Sequence, residues 1–358
     1  MFLKRNLSYK ITLLFPLLLP TLLCAQVIKG KVTDAATGKP LEQVNVYLDG
    51  TITGTTTDSK GNFTLNNVLK TSNPLSVSYV GYQTQKIKDY ADNKTINVAL
   101  KRSVIALKEV TVTTDKISRA RAMRIFLREF IGRYNSECEI LNPQDIYFSY
   151  HKSEDLLTAV ADKPLIILNK KLGYKLTYFL ADFSYKPYLT RYKGNYFFEE
   201  DTAGLKPEKM KKLLKARNEA YKGSRMHFIR ALWANELDKH GFAMYRSIKA
   251  AINTITPYDL DPRTRLSHDH IVQLSEGKKF ILFQKGINPK DTRFDNNEVY
   301  VTYKQFNPAF LRQTDSGNGT IIERTGYHDE GLQWKDNFGK WRVGELLPYE
   351  FEPREDLE

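Results

Sequence analysis

The feature that most constrains this chain is the spacing of turn residues between Val27 and Lys101. Short alternating runs are cut repeatedly by Gly, Pro, Asp and Asn. Asp34 to Pro40 reads as a turn between two strands, and in Gln43 to Leu48 the residues Val44, Val46 and Leu48 fall on one face. Asp58-Ser-Lys-Gly-Asn-Phe63 reads as a tight hairpin, with Asp58 starting the turn and Gly61 supplying a positive φ. Leu75 to Tyr79 and Thr95 to Leu100 alternate again. Several short strands at this spacing predict a small antiparallel sandwich. In Val77-Ser-Tyr-Val-Gly81-Tyr82 a glycine between aromatics permits a bulge or a close backbone approach. Asp58 lacks the further acidic oxygens of a calcium loop, so its expected role is an Asx-turn.

The segment before this stretch has a different chemistry. Lys4, Arg5 and Lys10 surround the start of an apolar run, Ile11 to Leu23, that Pro16 and Pro20 interrupt. It is too short and too broken for a comfortable membrane span, and it reads as a secretory signal over residues 1–25, cleaved after Ala25. A competing reading makes Cys24 a lipid anchor. Cleavage leaves Cys138 without an intrachain partner, so the mature chain is held by its core and Cys138 is expected to be a small buried hydrophobe. The formal charge of +13 falls to +10 without Lys4, Arg5 and Lys10. In an exported chain that excess points to anionic glycans, lipid head groups or peptidoglycan and not to nucleic acid, or else to solubility alone.

Five elements now agree in order: Gly-Lys-Val-Thr-Asp (30–34), Gly-Lys-Pro-Leu (38–41), Val-Asn-Val-Tyr-Leu (44–48), Gly-Thr-Thr-Thr-Asp-Ser-Lys-Gly-Asn-Phe (54–63) and Val-Ser-Tyr-Val-Gly-Tyr (77–82). Together they resemble the carboxypeptidase regulatory-like domain, a transthyretin-like β-sandwich of exported Bacteroidota proteins. The resemblance implies a seven-stranded sandwich over residues 26–101 and implies no peptidase activity, because in metallocarboxypeptidases the module is an accessory. Leu107-Lys-Glu-Val-Thr-Val-Thr-Thr114, in a connector spanning 102–117, is similar to the segment that joins such a sandwich to the plug of TonB-dependent transporters. The remaining chain lacks the regular transmembrane hairpins of their barrel.

Residues 118–358 read as one α+β domain of unknown function, with an antiparallel sheet and about three helices. Ser118 caps a helix to about Tyr134, whose stripe is Met123, Phe126, Leu127, Phe130, Ile131 and Tyr134. Arg119, Arg121, Arg124, Arg128 and Arg133 flank it; packing on the second domain is favoured over a membrane-surface role. Asp145 to Tyr185 reads as a meander, completed by a strand from about Tyr188 to Phe198. Pro207 begins a basic helix to about Tyr221, and Ser224 caps another that His240 and Gly241 stop. Strands are expected at about Phe242–Ile248, Lys279–Gln284, Val299–Lys304, Thr320–Glu323 and Lys340–Val343. The landmarks Pro164-Leu-x-Ile-x-Asn169, Leu172-Gly-Tyr174, Gly241-Phe242 and Leu346-Leu-Pro-Tyr-Glu350 resemble a family of exported Bacteroidota envelope proteins known by their regulatory-like sandwich. That likeness implies architecture and location, and no activity.

One catalytic pattern is present in outline. His151-Lys-Ser-Glu154, a later His268 or His270, and Glu345 follow the order of a zinc carboxypeptidase. Against it, the His-x-x-Glu falls in a polar turn with no fixed scaffold, and the parallel sheet of that enzyme class is missing from the pattern. His268-Asp-His270 reads as part of a solvated connector. Asp182, Glu199, Glu200 and Asp201 lie near Tyr185, Tyr188, Tyr192, Tyr196 and Phe197, the composition of a glycan cleft or of an aromatic face packed under helices. The sequence therefore leads to an exported envelope protein, periplasmic or associated with the outer membrane. Its expected role is to bind or assist an outer-membrane protein or an anionic glycan, with no catalytic, cofactor or metal residues assigned. The alternative is an envelope hydrolase such as a zinc carboxypeptidase using His151, Glu154 and His270.

Overall fold

The computed structural model of the chain describes residues 26–68, 71–90, 95–103, 117–248, 262–283, 294–304, 306–314, 319–336, 338–354 and 356. The expected signal at 1–25, with Cys24, and the Leu107–Thr114 segment lie outside the described residues.

The first core is a two-layer sandwich of seven strands: β1 (Gln26–Asp34), β2 (Asn45–Leu48), β3 (Gly54–Thr56), β4 (Asn62–Val68), β5 (Leu75–Ser78), β6 (Gln85–Ile87) and β7 (Ile96–Leu100). One layer has the order β4-β1-β7 and the other β3-β2-β5-β6. All pairs are antiparallel except β1 with β7. Alternation puts Val32, Val46, Phe63, Leu75, Val77 and Val98 between the layers. Gly30 is required where β1 meets β7, since a Cβ there would sit 2.2 Å from the Ile96 carbonyl oxygen. The 34–40 turn forms as expected: Asp34 Oδ1 accepts the amides of Ala36 and Thr37 at 2.8 and 2.9 Å. Asp58 Oδ1 likewise accepts from Lys60 and Asn62, and Gly61 has φ +77°. That turn is not a hairpin, however. It carries the chain from one layer to the other, since β3 pairs β2 while β4 pairs β1.

A second core follows. Ser118 Oγ accepts the Arg121 amide and caps α1 (Arg119–Phe126), which widens into a π-turn at Leu127–Ile131. The Gly132 amide closes that turn on the Leu127 carbonyl, and Gly132 at φ +87° ends the helix short of Tyr134. The sheet beneath comprises β8 (Cys138–Ile140), β9 (Ile146–His151), β10 (Leu156–Ala161), β11 (Leu165–Asn169), β12 (Tyr174–Lys186) and β13 (Leu189–Glu200). It is not a simple meander. The long β12 pairs β11 over its first half and β10 near its end, and pairs β13 along nearly its whole length. Phe126 and Phe130 stack at 4.7 Å and meet Phe183 and Tyr178 edge-on, so the helix packs on the sheet. Three of the flanking arginines are partnered: Arg119 donates to the Ile146 and Pro143 carbonyls, Arg128 to Glu129, and Arg133 to Glu345. Cys138 is a free thiol packed against this core, and burial pushes it up to about 12. Then α2 (Pro207–Tyr221) begins with proline at its first position and buries Leu213, Ala216 and Ala220.

The third core is built by α3 (Arg225–Ala234), β14 (Phe242–Ile248), β15 (Arg265–Leu266), α4 (His268–Ile271), β16 (Val272–Ser275), β17 (Lys278–Ile281), β18 (Phe294–Tyr303), β19 (Phe306–Gln313), β20 (Thr320–Ile322) and β21 (Leu332–Asp336). Its sheets run β15-β14-β18-β19-β21 and β16-β17-β20. Ser224 caps α3 as expected, but the helix stops at Asn235 in the left-handed region, φ +59°, and His240 and Gly241 close a separate turn. Lys340–Val343 is no strand: Phe338–Lys340 and Val343–Glu345 are single 3₁₀ turns. His268 and His270 lie on a one-turn helix and not in an irregular connector. Residues 343–351 cross back, and Val343, Leu347 and Phe351 complete the second core.

Candidate functional site

The three cores meet around a cavity of about 460 Å³, within the range of small-molecule sites. Its walls are assembled by backbone pairing and not by side chains alone. The residues after β2 add to the outer edge of β13: the Gly50 amide donates to the Tyr196 carbonyl at 2.8 Å, and the Phe198 amide to the Thr51 carbonyl at 2.8 Å. On the other side the Tyr349 amide donates to the Gly50 carbonyl at 3.0 Å. The sandwich thus covers a strand edge that would otherwise be open. Below it, Tyr47 stacks on Phe179 with ring centres 5.5 Å apart and meets Phe197 at 4.8 Å. Glu350 accepts the Ile52 amide and the Thr53 hydroxyl, and Glu323 accepts the Ser72 amide and the Thr71 hydroxyl.

The acidic end of the cavity carries Asp49, Asp329 and Glu330. Asp49 Oδ1 accepts the Tyr196 amide at 3.0 Å, and burial pushes its carboxyl up to about 6 against the pull of that bond and of Lys86. Lys86 reaches Glu330 at 3.1 Å and Asp49 at 3.8 Å. Asp329 accepts the Ile321 amide. His328 Nδ1 lies 3.0 Å from the Asp329 carbonyl, so it carries the proton there, and burial lowers the imidazole to about 4. At the other end Glu345 accepts Arg133 Nε at 2.7 Å and the Arg342 amide at 3.1 Å, while burial raises its carboxyl.

Between these ends lie Tyr178, Tyr192, Tyr196, Trp334, Trp341 and Tyr349, together with the first turn of α3. Arg225 there donates Nε and Nη2 to the Phe338 carbonyl at 2.9 and 2.8 Å, and Nη2 also to Trp341 at 3.3 Å. Burial lowers its basicity. Nearby, the buried Trp334 Nε1 has no acceptor among the described residues. An adjoining cavity of about 330 Å³ shares Asp49, Lys86, Tyr196, His328, Glu330 and Tyr349.

The structure scatters the zinc-peptidase pattern. His151 closes β9, and Glu154 is exposed and bound to Lys186 at 2.8 Å, which keeps its carboxyl below the usual range. His270 Nδ1 is tied to Ser267 at the start of α4, and His268 faces Asp269. The first pair belongs to the second core's sheet and the others to the third core. No three His, Cys, Asp or Glu side chains among the described residues group as a metal would require, so His151, Glu154 and His270 form no such set.

The aromatic reading is half kept. Tyr192 and Tyr196 do line the cavity. Phe197 belongs to the sandwich contact, Tyr185 lies under Arg128, and Tyr188 projects fully into solvent. Of the nearby acids, Glu199 pairs Lys175 and Glu200 pairs Arg217, away from the cavity. Sequence reasoning missed Asp49, Arg225, His328, Trp334, Trp341 and Tyr349. One signal was there: two of the chain's three tryptophans, Trp334 and Trp341, fall close together.

Comparison with known proteins covers mainly the sandwich. A stretch of this chain is 42% identical over 85 residues to the TonB-dependent receptor SusC of Bacteroides thetaiotaomicron, covering 24% of this chain and 8% of the receptor. The chain therefore spans a small fraction of that relative's length. A solved chain of a type II cohesin–X-dockerin complex from Acetivibrio cellulolyticus aligns with 20% identity over 21% of this chain and 51% of that one, at a TM-score of 0.16, too low to bear on the fold. Residues 28–112 match the family described as CarboxypepD_reg-like domain, and the sandwich of this chain is identified as a domain of that family.

Proposed function

We propose that this chain is a non-catalytic envelope protein that binds a glycan in the cavity at the junction of its three cores. The observation that carries the reading is the cavity wall itself. Four tyrosines and two tryptophans surround about 460 Å³ of space beside charged groups. Flat aromatic faces stack on the apolar faces of sugar rings while polar groups at the rim fix orientation. The CarboxypepD_reg-like domain supports an envelope setting, since its relative is by name a TonB-dependent receptor. The leading segment 1–25, read as a signal, supports export to the periplasm or the outer membrane, and residues 118–358 supply most of the binding wall. The sandwich acts here as a wall and a brace, with Asp49 and Lys86 as its contribution to the site.

Titration calorimetry on the chain from Gln26 onward, against neutral and acidic oligosaccharides of two to four rings, tests this. Binding by at least one class, weakened about tenfold or more by Trp341→Ala with the fold retained by circular dichroism, is expected. If no oligosaccharide binds, or if the protein hydrolyses one at a rate that a single substitution abolishes, the reading fails.

A further inference from the structure

Among the described residues, Arg225 is a cavity cation that forms no ion pair with a carboxylate. Lys86 is held by Glu330 and Asp49, and Lys193 lies 3.8 Å from Glu330. Glu345, the carboxylate nearest in kind to a partner for Arg225, is engaged by Arg133. Arg225 bonds only to the carbonyls of Phe338 and Trp341, and its Nη1 has no partner among the described residues. Arg225 is part-buried at the cavity wall, and a part-buried guanidinium without an ion-pair partner gains from a negative charge placed beside it. Those carbonyl bonds have a second effect. They fix the plane of the group along its Nε–Nη2 edge, so the Nη1 side is presented in a set direction.

Two further features converge on the same place. Arg225 is the first residue of the ten-residue α3, and Ser224, Arg225 and Met226 line the cavity. Ser224 Oγ takes the His227 amide, so the Arg225 and Met226 amides are the ones left without an intrahelical acceptor; such amides favour an anion, and α3 has no acidic residue in its first turn. The indole Nε1 of Trp334, whose ring lies 5.7 Å from the Arg225 guanidinium carbon, is a buried donor without an acceptor.

Resting on the glycan-binding reading above, we infer that Arg225, the first turn of α3 and Trp334 Nε1 form a subsite for a carboxylate carried on a sugar ring, as in a uronic acid. A planar carboxylate suits one open edge of a fixed guanidinium. A single negative charge also suits the surroundings better than a phosphate dianion, because Glu345 shares this end of the cavity.

The test needs no mutation to begin. Digalacturonate and its methyl ester differ in charge and little in shape, and both are titrated into the chain from Gln26 onward. At least tenfold tighter binding of the acid, with the preference falling as salt rises, is expected. Arg225→Lys should remove most of that preference, and Trp334→Phe, which keeps a ring but no N–H, should reduce it. Equal binding of acid and ester overturns the subsite while leaving the glycan cleft standing. Failure of both sugars, and of every other oligosaccharide, removes the cleft and the subsite together. Inorganic phosphate displacing digalacturonate at a lower concentration than acetate does overturns the carboxylate assignment. Should Arg225→Lys not fold, the acid-to-ester ratio of the unaltered protein still decides.

Discussion

Tyr47 of the sandwich lies almost parallel to Phe179 of the second core, 7° between ring planes and 5.5 Å between centres. Tyr47 is fully buried, and its hydroxyl meets Ser78 Oγ at 3.2 Å on the outer face of the β2–β5 layer. One side chain therefore belongs to two packing units. Tyr47→Ala is expected to cost about 3–5 kcal/mol and to split a single thermal transition into two, one for the sandwich and one for the rest. Differential scanning calorimetry reads both effects. A single unsplit transition would show that the polar latches at Glu350 and Glu323 suffice for coupling.

Gly50 tests the same junction through the backbone. It sits at φ +73°, and an added Cβ would lie 2.5 Å from the Tyr349 ring. Gly50→Ala meets a left-handed penalty of about 1–2 kcal/mol and an overpacking cost of about 1–3 kcal/mol. Gly38 has a similar φ, +69°, and open space around it, so Gly38→Ala should show the first penalty alone. Urea midpoints of the two variants separate the terms.

Acidity acts on this molecule with opposing signs. His227 accepts the Gly223 amide at Nδ1, faces His240 at Nε2, and feels Arg230, Lys222 and Lys304; burial first, and those charges next, lower it to about 3. Between pH 6.5 and about 3 the unfolded chain binds a proton that the native chain refuses. The stability that a neutral His227 carries is full above pH 6.5 and falls with acidification by up to about 1.4 kcal/mol per pH unit. His227→Asn, whose Oδ1 can still accept the Gly223 amide, should flatten that slope in urea titrations. Asp49 runs the other way: its native carboxyl, raised from 3.8 to about 6, takes up a proton before the unfolded chain does. Asp49→Asn should therefore gain about 1–2 kcal/mol at pH 8, an advantage that shrinks below pH 6.

Tyr188 marks a strained tip. Lys186 pairs Leu189, so Pro187 and Tyr188 form the two-residue turn of the β12–β13 hairpin, with Tyr188 at φ +66° and its ring wholly in solvent. A turn with proline first and a positive φ second favours glycine or asparagine there. Tyr188→Gly is expected to raise stability by up to about 1 kcal/mol, measured as a higher urea midpoint with unchanged slope.

Much of the fold could be read from local chemistry. Asp34, Gly61, Ser118, Pro207 and Ser224 each act within a few residues of themselves, and each does in the structure what its residue type favours. Errors arose where a distant partner decides. Asp58 begins a genuine Asx-turn, but whether β4 pairs β3 or β1 depends on packing between layers. Leu127–Ile131 has helical spacing, and its widening to a π-turn occurs where Gly132 lies against Arg342 and Glu345 from the far end of the chain. The site was the least legible part. Asp49, Arg225, Trp334 and Tyr349 come from four separated stretches, and only the tertiary fold brings them around one cavity. The His151–Glu154 motif was visible for the opposite reason: its spacing is local, and among the described residues no third ligand comes to it.

Glu350 holds the Ile52 amide across 298 residues of chain. During synthesis the ribosome makes one of these residues long before the other. At about 5–20 residues per second, the interval is roughly 15–60 s. The sandwich has its own core and is free to fold in that time, but it cannot be clasped. Until β12 and β13 emerge, the Tyr47 face and the Gly50–Thr51 backbone lack the partners that cover them, and the Glu350 clasp comes last of all. A chaperone that keeps the chain extended over that interval would protect these two surfaces first.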